Sequence, residues 1–146
     1  MMEKIPVMKL KPNAVLPTYG SAEAAGADLY ACLDTSVRIA PGKTAFIPTG
    51  IAMELPKGFV GLAYARSGLA CKKDLAPANK VGVIDSDYRG EFMVALHNHG
   101  AVPQTIRHGD RIAQLLITPV ITPGFTEVST LSDTDRGIGG FGSTGK

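Results

Sequence analysis

EFMVALHN, residues 91–98, is the stretch on which the fold turns. Phe92, Val94 and Leu96 fall on one face, and Met93, Ala95 and His97 on the other. That period of two is the signature of a half-buried β-strand. Outward from it, similar short apolar runs recur, each bounded by Pro or Gly. They are VMKL (7–10), ADLYAC (27–32), SVRIA (36–40), TAFIPTGIAMEL (44–55), FVGLAYA (59–65), VGVID (81–85), QTIRHG (104–109), RIAQLLITPV (111–120) and FTEVS (125–129). Many short strands with turn residues between them predict an all-β sandwich, barrel or jelly roll. No periodic helix of 10–15 residues separates the runs, as a βαβ fold would need.

Composition agrees. The 146 residues include 17 Gly and 10 Pro, about 18% of the chain against roughly 12% in average usage. Both are poor in helix interiors. Hydrophobic residues make up 45% and charged residues 19%, which excludes a disordered chain. The formal charge is +2, too balanced for a non-specific nucleic-acid coat, so no nucleic-acid partner is expected. Cys32 and Cys71 have no C-x-x-C spacing and are expected to be free thiols in a reducing compartment. The N-terminus lacks an apolar signal region, and no run is long enough to span a membrane. A soluble, cytoplasmic protein with no membrane partner is expected.

Two segments differ from the strand pattern. SGLACKKDLAPA (67–78) predicts one short helix, with Ser67 as N-cap and Pro77 as the stop. The tail, LSDTDRGIGGFGSTGK from 131, carries five glycines within residues 136–145 and cannot fold alone. Gly137, Gly139 and Gly142 match G-x-G-x-x-G, and Gly140, Gly145 and Lys146 match part of a Walker A loop. Both motifs need a helix after the glycines, and none is expected after Lys146, so neither nucleotide-fold reading is expected. The tail still offers Arg136, exposed backbone N–H groups, Ser143 and Thr144, the parts of a phosphate clamp.

Arg66-Ser67 is a second candidate anion site, offering a guanidinium and a hydroxyl. NKVGVIDSDYRGEF (79–92) reads as a β-hairpin with an acidic, aromatic tip. Asp85 follows the apolar Val83-Ile84, so a rigid strand end can aim it as a general base. Tyr88 offers a flat face for a sugar or base. Asp28, in AAGADLYAC, is either a hydrogen-bonded structural acid or support for a metal. His97 and His99 share a strand face but have no third ligand at suitable spacing, so ordinary surface histidines are the expectation.

AGADLYA (25–31), ARSGLA (65–70), NKVGVIDSDYRGEF (79–92), GDRIAQLLI (109–117) and RGIGGFGSTG (136–145) together resemble the five ordered motifs of the trimeric dUTPases. The resemblance implies hydrolysis of dUTP to dUMP and pyrophosphate, which keeps uracil out of DNA and supplies dUMP for dTMP synthesis. It implies a jelly-roll-like β-barrel over residues 1–130 with one short helix, and a Gly-rich arm at 131–146 that closes on the active site. Asp85 would be the base for the water that attacks the α-phosphorus. Tyr88 would pack on the deoxyribose. Asn79 and the backbone of Gly82, Val83, Ile84 and Asp85 would read uracil, and Met93 would line the pocket. Arg66, Ser67, Gly68 and Gln114 would hold the phosphates. Arg136, Phe141, Gly142 and Ser143 would act from the arm, Phe141 stacking on uracil. Asp28 would hold water around a Mg²⁺ carried by the substrate. The resemblance also implies a homotrimer with shared sites. Two readings stay beside it: a dCTP deaminase of related fold, and a non-catalytic jelly-roll binding protein.

Overall fold

The structure, a computed structural model, describes residues 4–142. It contains twelve short strands and one helix among those residues, so the fold is all-β as expected. In chain order they are β1 (Val7–Lys9), β2 (Thr18–Tyr19), β3 (Ala27–Tyr30), β4 (Val37–Ile39), β5 (Thr44–Pro48), β6 (Ile51–Met53), β7 (Phe59–Tyr64), α1 (Ser67–Lys73), β8 (Leu75–Pro77), β9 (Gly82–Ile84), β10 (Met93–Asn98), β11 (Gln104–Ile106) and β12 (Arg111–Pro119). Every pairing is antiparallel.

A five-stranded sheet runs β2-β3-β12-β7-β9, and a three-stranded sheet runs β5-β10-β8. The pairs β1-β6 and β11-β4 complete a jelly-roll-like shell. One core lies between the layers, formed by Leu29, Ile39, Ile47, Ile51, Leu75, Leu96, Ile106, Ile112 and Leu115. The alternation that suggested the fold is real: Phe92, Val94 and Leu96 are buried, while Met93 is exposed. Buried polarity is satisfied. Asn98 Nδ2 donates to Ile39 O at 3.0 Å and to Val102 O at 2.8 Å, and its Oδ1 accepts from Gly100 N at 2.9 Å. These bonds fasten the end of β10 to β4.

The helix departs from expectation at both ends. Arg66, not Ser67, occupies the N-cap, in extended backbone, with no side-chain cap bond. Ser67 is the first helical residue. The helix stops at Asp74, in the left-handed region at φ 53°, whose N–H bonds Leu69 O. Pro77 plays no part in the stop, because Leu75–Pro77 forms β8 against β10. A proline suits the end of such an edge strand, whereas its pull on helix prediction was misleading.

The segment 79–92 is not a paired hairpin. Its first strand, β9, pairs with β7, while β10 pairs with β5 and β8. The turn therefore bridges two sheets. The run FTEVS forms no strand: Phe125 is 98% exposed and finds no partner strand among the described residues. Strand patterning signals only that a segment can pair, and the partner must come from elsewhere. Both cysteines are free, Cys32 buried and Cys71 exposed.

Candidate active site

The central strand β12 assembles three of the sequence motifs. Its Gln114 stands opposite Asp28 on β3 and opposite Tyr64 on β7. β7 continues through Ala65 into Arg66. Register alone thus gathers residues that lie up to 86 positions apart in sequence. Gln114 Nε2 donates to Ala65 O at 2.9 Å, tying β12 to the approach of the helix. Gly26 makes room for this side chain, since a Cβ there would lie 2.7 Å from Gln114 Oε1.

Asp28 is held by arginines. Arg66 Nε donates to Asp28 Oδ1 at 2.7 Å, and Arg111 Nη1 donates to Asp28 Oδ2 at 3.3 Å. The Asp28 side chain is only 13% exposed, and that of Arg66 25%. Such a half-sheltered, charge-assisted pair fixes the Arg66 guanidinium better than a surface ion pair would. Arg111 was not foreseen as a site residue. Its only sequence signal was its place three residues before Gln114, and the β3–β12 pairing gives it meaning.

The second assembly surrounds the turn after β9. Asn79, Gly82, Val83, Ile84, Asp85, Tyr88 and Met93 all line one cavity of about 380 Å³. Phe46, Ala63, Pro77 and Glu91 join them, and none of these was foreseen. The turn is pinned internally. Arg89 Nη1 donates to Ser86 O at 2.7 Å and to Tyr88 O at 3.2 Å. Tyr88 OH donates to Glu91 O at 3.0 Å, and its ring lies 6.1 Å from that of Phe92. Gly90 is required by this close approach, because a Cβ there would collide with the Tyr88 hydroxyl. Glu91 Oε1 accepts from Gly50 N at 2.8 Å, which anchors the turn to the neighbouring sheet. The Asp85 carboxylate makes no hydrogen bond or ion pair among the described residues, and Asp85, just past the end of β9, lines both this cavity and a neighbouring depression. A pinned turn around a free carboxylate can present a base to a bound water.

The two assemblies do not meet in one depression. Arg66 and Gly68 line a separate cleft with Lys72, Lys73 and Arg111. Gln114 lines a third, with Gly26 and Tyr64. Arg136 and Phe141 line none of these. Arg136 Nε donates to Gly139 O at 2.8 Å, and Phe141 is fully exposed with φ 48°. Gly142 is exposed at φ 89°. Ser143 lies outside the described residues. His97 and His99 sit edge to face, 4.5 Å between ring centroids, and His97 Nδ1 is 2.9 Å from Thr44 Oγ1. No three His, Cys, Asp or Glu side chains among the described residues cluster as metal ligands. No helix among those residues is long and apolar enough to cross a membrane.

Known proteins resemble this chain in sequence and fold. The sequence model of the dUTPase family matches residues 12–145. A deoxyuridine 5'-triphosphate nucleotidohydrolase from Desulfitobacterium hafniense is 51% identical over 143 residues, covering 97% of this chain and 95% of that protein. The dUTPase of Staphylococcus bacteriophage 80alpha, solved with dUpNHpp, superposes with a TM-score of 0.90 at 29% identity, over 99% of this chain and 100% of its own. The dUTPase of phage phi11 of S. aureus gives 0.81 at 26% identity, over 90% of this chain and all of its own. With a family match over nearly the whole chain and half the residues identical to a nucleotidohydrolase, the chain belongs to the dUTPase family, hydrolases that convert dUTP to dUMP.

Proposed function

We propose that the cavity around Asp85 holds the deoxyuridine and that the Arg66 and Gln114 elements hold the triphosphate, in sites shared between subunits of a homotrimer. The observation that carries this reading is the placement of Asp85 at the rim of a cavity lined by Asn79, Tyr88 and Met93. Asp85 takes a proton from the water that attacks the α-phosphorus, and pyrophosphate leaves. Asn79 and the backbone of residues 82–85 hydrogen-bond the uracil edge. Tyr88, its ring held by the bond to Glu91 O, packs on the deoxyribose and leaves no room for a 2'-hydroxyl. Arg66, Ser67, Gly68 and Gln114 neutralise and orient the phosphate chain. Residues 131–146 form an arm from which Arg136, Phe141, Gly142 and Ser143 close over the nucleotide.

Two observations support the sharing of sites. Asp85 and Arg66 line different depressions of one chain, although one reaction needs both. Residues 120–131 carry exposed apolar groups, with Ile121 at 88%, Phe125 at 98% and Leu131 at 87%. A segment of this kind buries its apolar side chains against another copy.

The donor set fits Mg²⁺ brought in by the substrate rather than an ion caged by protein. Asp28 spends one lone pair of each oxygen on an arginine and keeps others for water on the ion. When bound, Mg²⁺ neutralises charge on the phosphate oxygens. The enzyme works in the cytoplasm, where both thiols stay reduced.

The deciding experiment is pyrophosphate release measured in parallel with dUTP, dCTP, dTTP and UTP, each with Mg²⁺ and with EDTA. Turnover of dUTP alone, lost in EDTA, is expected. Ammonia release from dCTP would overturn the reading. Asp28→Asn is expected to raise KM for dUTP about tenfold or more, by weakening a charge-assisted bond to Arg66 worth roughly 1.5–3 kcal/mol. Steady-state kinetics that leave KM unchanged would separate Asp28 from phosphate binding.

A further inference from the structure

Phe46 is a large aromatic side chain that the core does not use. It alternates along β5 with Ile47, which is wholly buried, while Phe46 itself stays 70% exposed. Its cross-strand neighbour on β10 is Ala95, and two residues along Pro48 stands opposite Met93. Residues directly opposed in an antiparallel pair present their side chains to the same face. Phe46, Ala95 and Met93 therefore share the outer face of this sheet, and all three line the cavity with Asn79, Val83 and Tyr88. The methyl of Ala95 is too small to cover a phenyl ring.

The other cavity residues supply hydrogen bonds through Asn79 and the β9 backbone, and a sugar contact through Tyr88. A pyrimidine also needs apolar surface against its faces, and aromatic rings provide it without demanding a particular base. Phe141 sits on the exposed tail and must be brought to the nucleotide. Phe46 sits on a paired strand whose opposite face is anchored by Ile47, so it is in place before any arm closes.

We propose that Phe46 is a fixed aromatic wall of the nucleoside cavity and sets the enzyme's apparent affinity for its pyrimidine substrate. This rests on the reading that the Asp85 cavity is the nucleoside site. A wall that contacts the base equally in the ground state and the transition state changes KM and leaves kcat alone.

The test is steady-state dUTP hydrolysis by full-length Phe46→Ala, Phe46→Tyr and Tyr88→Ala, with sedimentation mass measured for each. Phe46→Ala is expected to raise KM about tenfold, the lower range for loss of a base–aromatic stack, with kcat changed less than about twofold. Phe46→Tyr should keep the wild-type KM. An unchanged KM in Phe46→Ala beside a raised KM in Tyr88→Ala overturns the inference alone. An unchanged KM in both overturns the nucleoside assignment itself. A raised KM with a reduced sedimentation mass also overturns the inference, since it places Phe46 between subunits.

Discussion

Asp85→Asn is expected to lower kcat for dUTP by about 10²–10⁴-fold, the range that a positioned general base contributes. Asparagine has nearly the shape of aspartate but cannot take the proton of the attacking water. The turn that carries it should not change, because its pins are elsewhere: Arg89 on the Ser86 and Tyr88 carbonyls, and Glu91 on Gly50. Nucleotide affinity should therefore be largely retained. Stopped-flow or calorimetric binding of a non-hydrolysable dUTP analogue, beside pyrophosphate release, separates the two effects. Turnover near the wild-type rate would remove Asp85 from its role.

Deleting residues 136–146 is expected to cut kcat by about 10²–10³-fold, the effect of removing donors aimed at developing charge. Stability should hardly move. Residues 136–142 are exposed except for the half-buried Gly139, so the barrel loses little packing. A fall in Tm of no more than about 2–4 °C is expected, the shift produced by about 1 kcal/mol in a chain near this length. Parallel scanning calorimetry and kinetics check both halves, and a collapse of Tm would show that the tail belongs to the core. If, as proposed, the sites are shared and the arm of one subunit closes over the Asp85 of another, refolding Asp85→Asn chains together with arm-deleted chains should restore activity that neither variant has alone.

Much of this protein was legible from local pattern. The alternation of 91–98 was real, since Val94 and Leu96 face the core and Met93 does not. Turn residues marked most strand ends. Where local reading failed, a tertiary partner had decided the outcome. TAFIPTGIAMEL reads as one apolar run, yet it splits into β5 and β6, which pair with different neighbours. APANK followed a helical stretch, yet Leu75–Pro77 pairs with β10 because that edge was open. FTEVS has strand character but forms no strand and has no partner among the described residues.

The candidate site divides the same way. The five motifs, and with them the family and the reaction, can be read from residue identity and order, because phosphate chemistry requires particular groups: a carboxylate, arginines and glycines. Their grouping cannot be read so. Gln114 stands opposite Asp28 and Tyr64 because β12 runs between β3 and β7, and Arg66 reaches Asp28 from just beyond the end of β7. Arg111 and Phe46 gain significance only from that folding, as an arginine on the Asp28 carboxylate and a ring at the cavity wall. Local sequence determines which groups are present and whether a segment can be a strand, since side-chain chemistry and alternation are properties of neighbours in the chain. Which groups face one another is decided by long-range pairing, whose energy depends on residues that no local window contains.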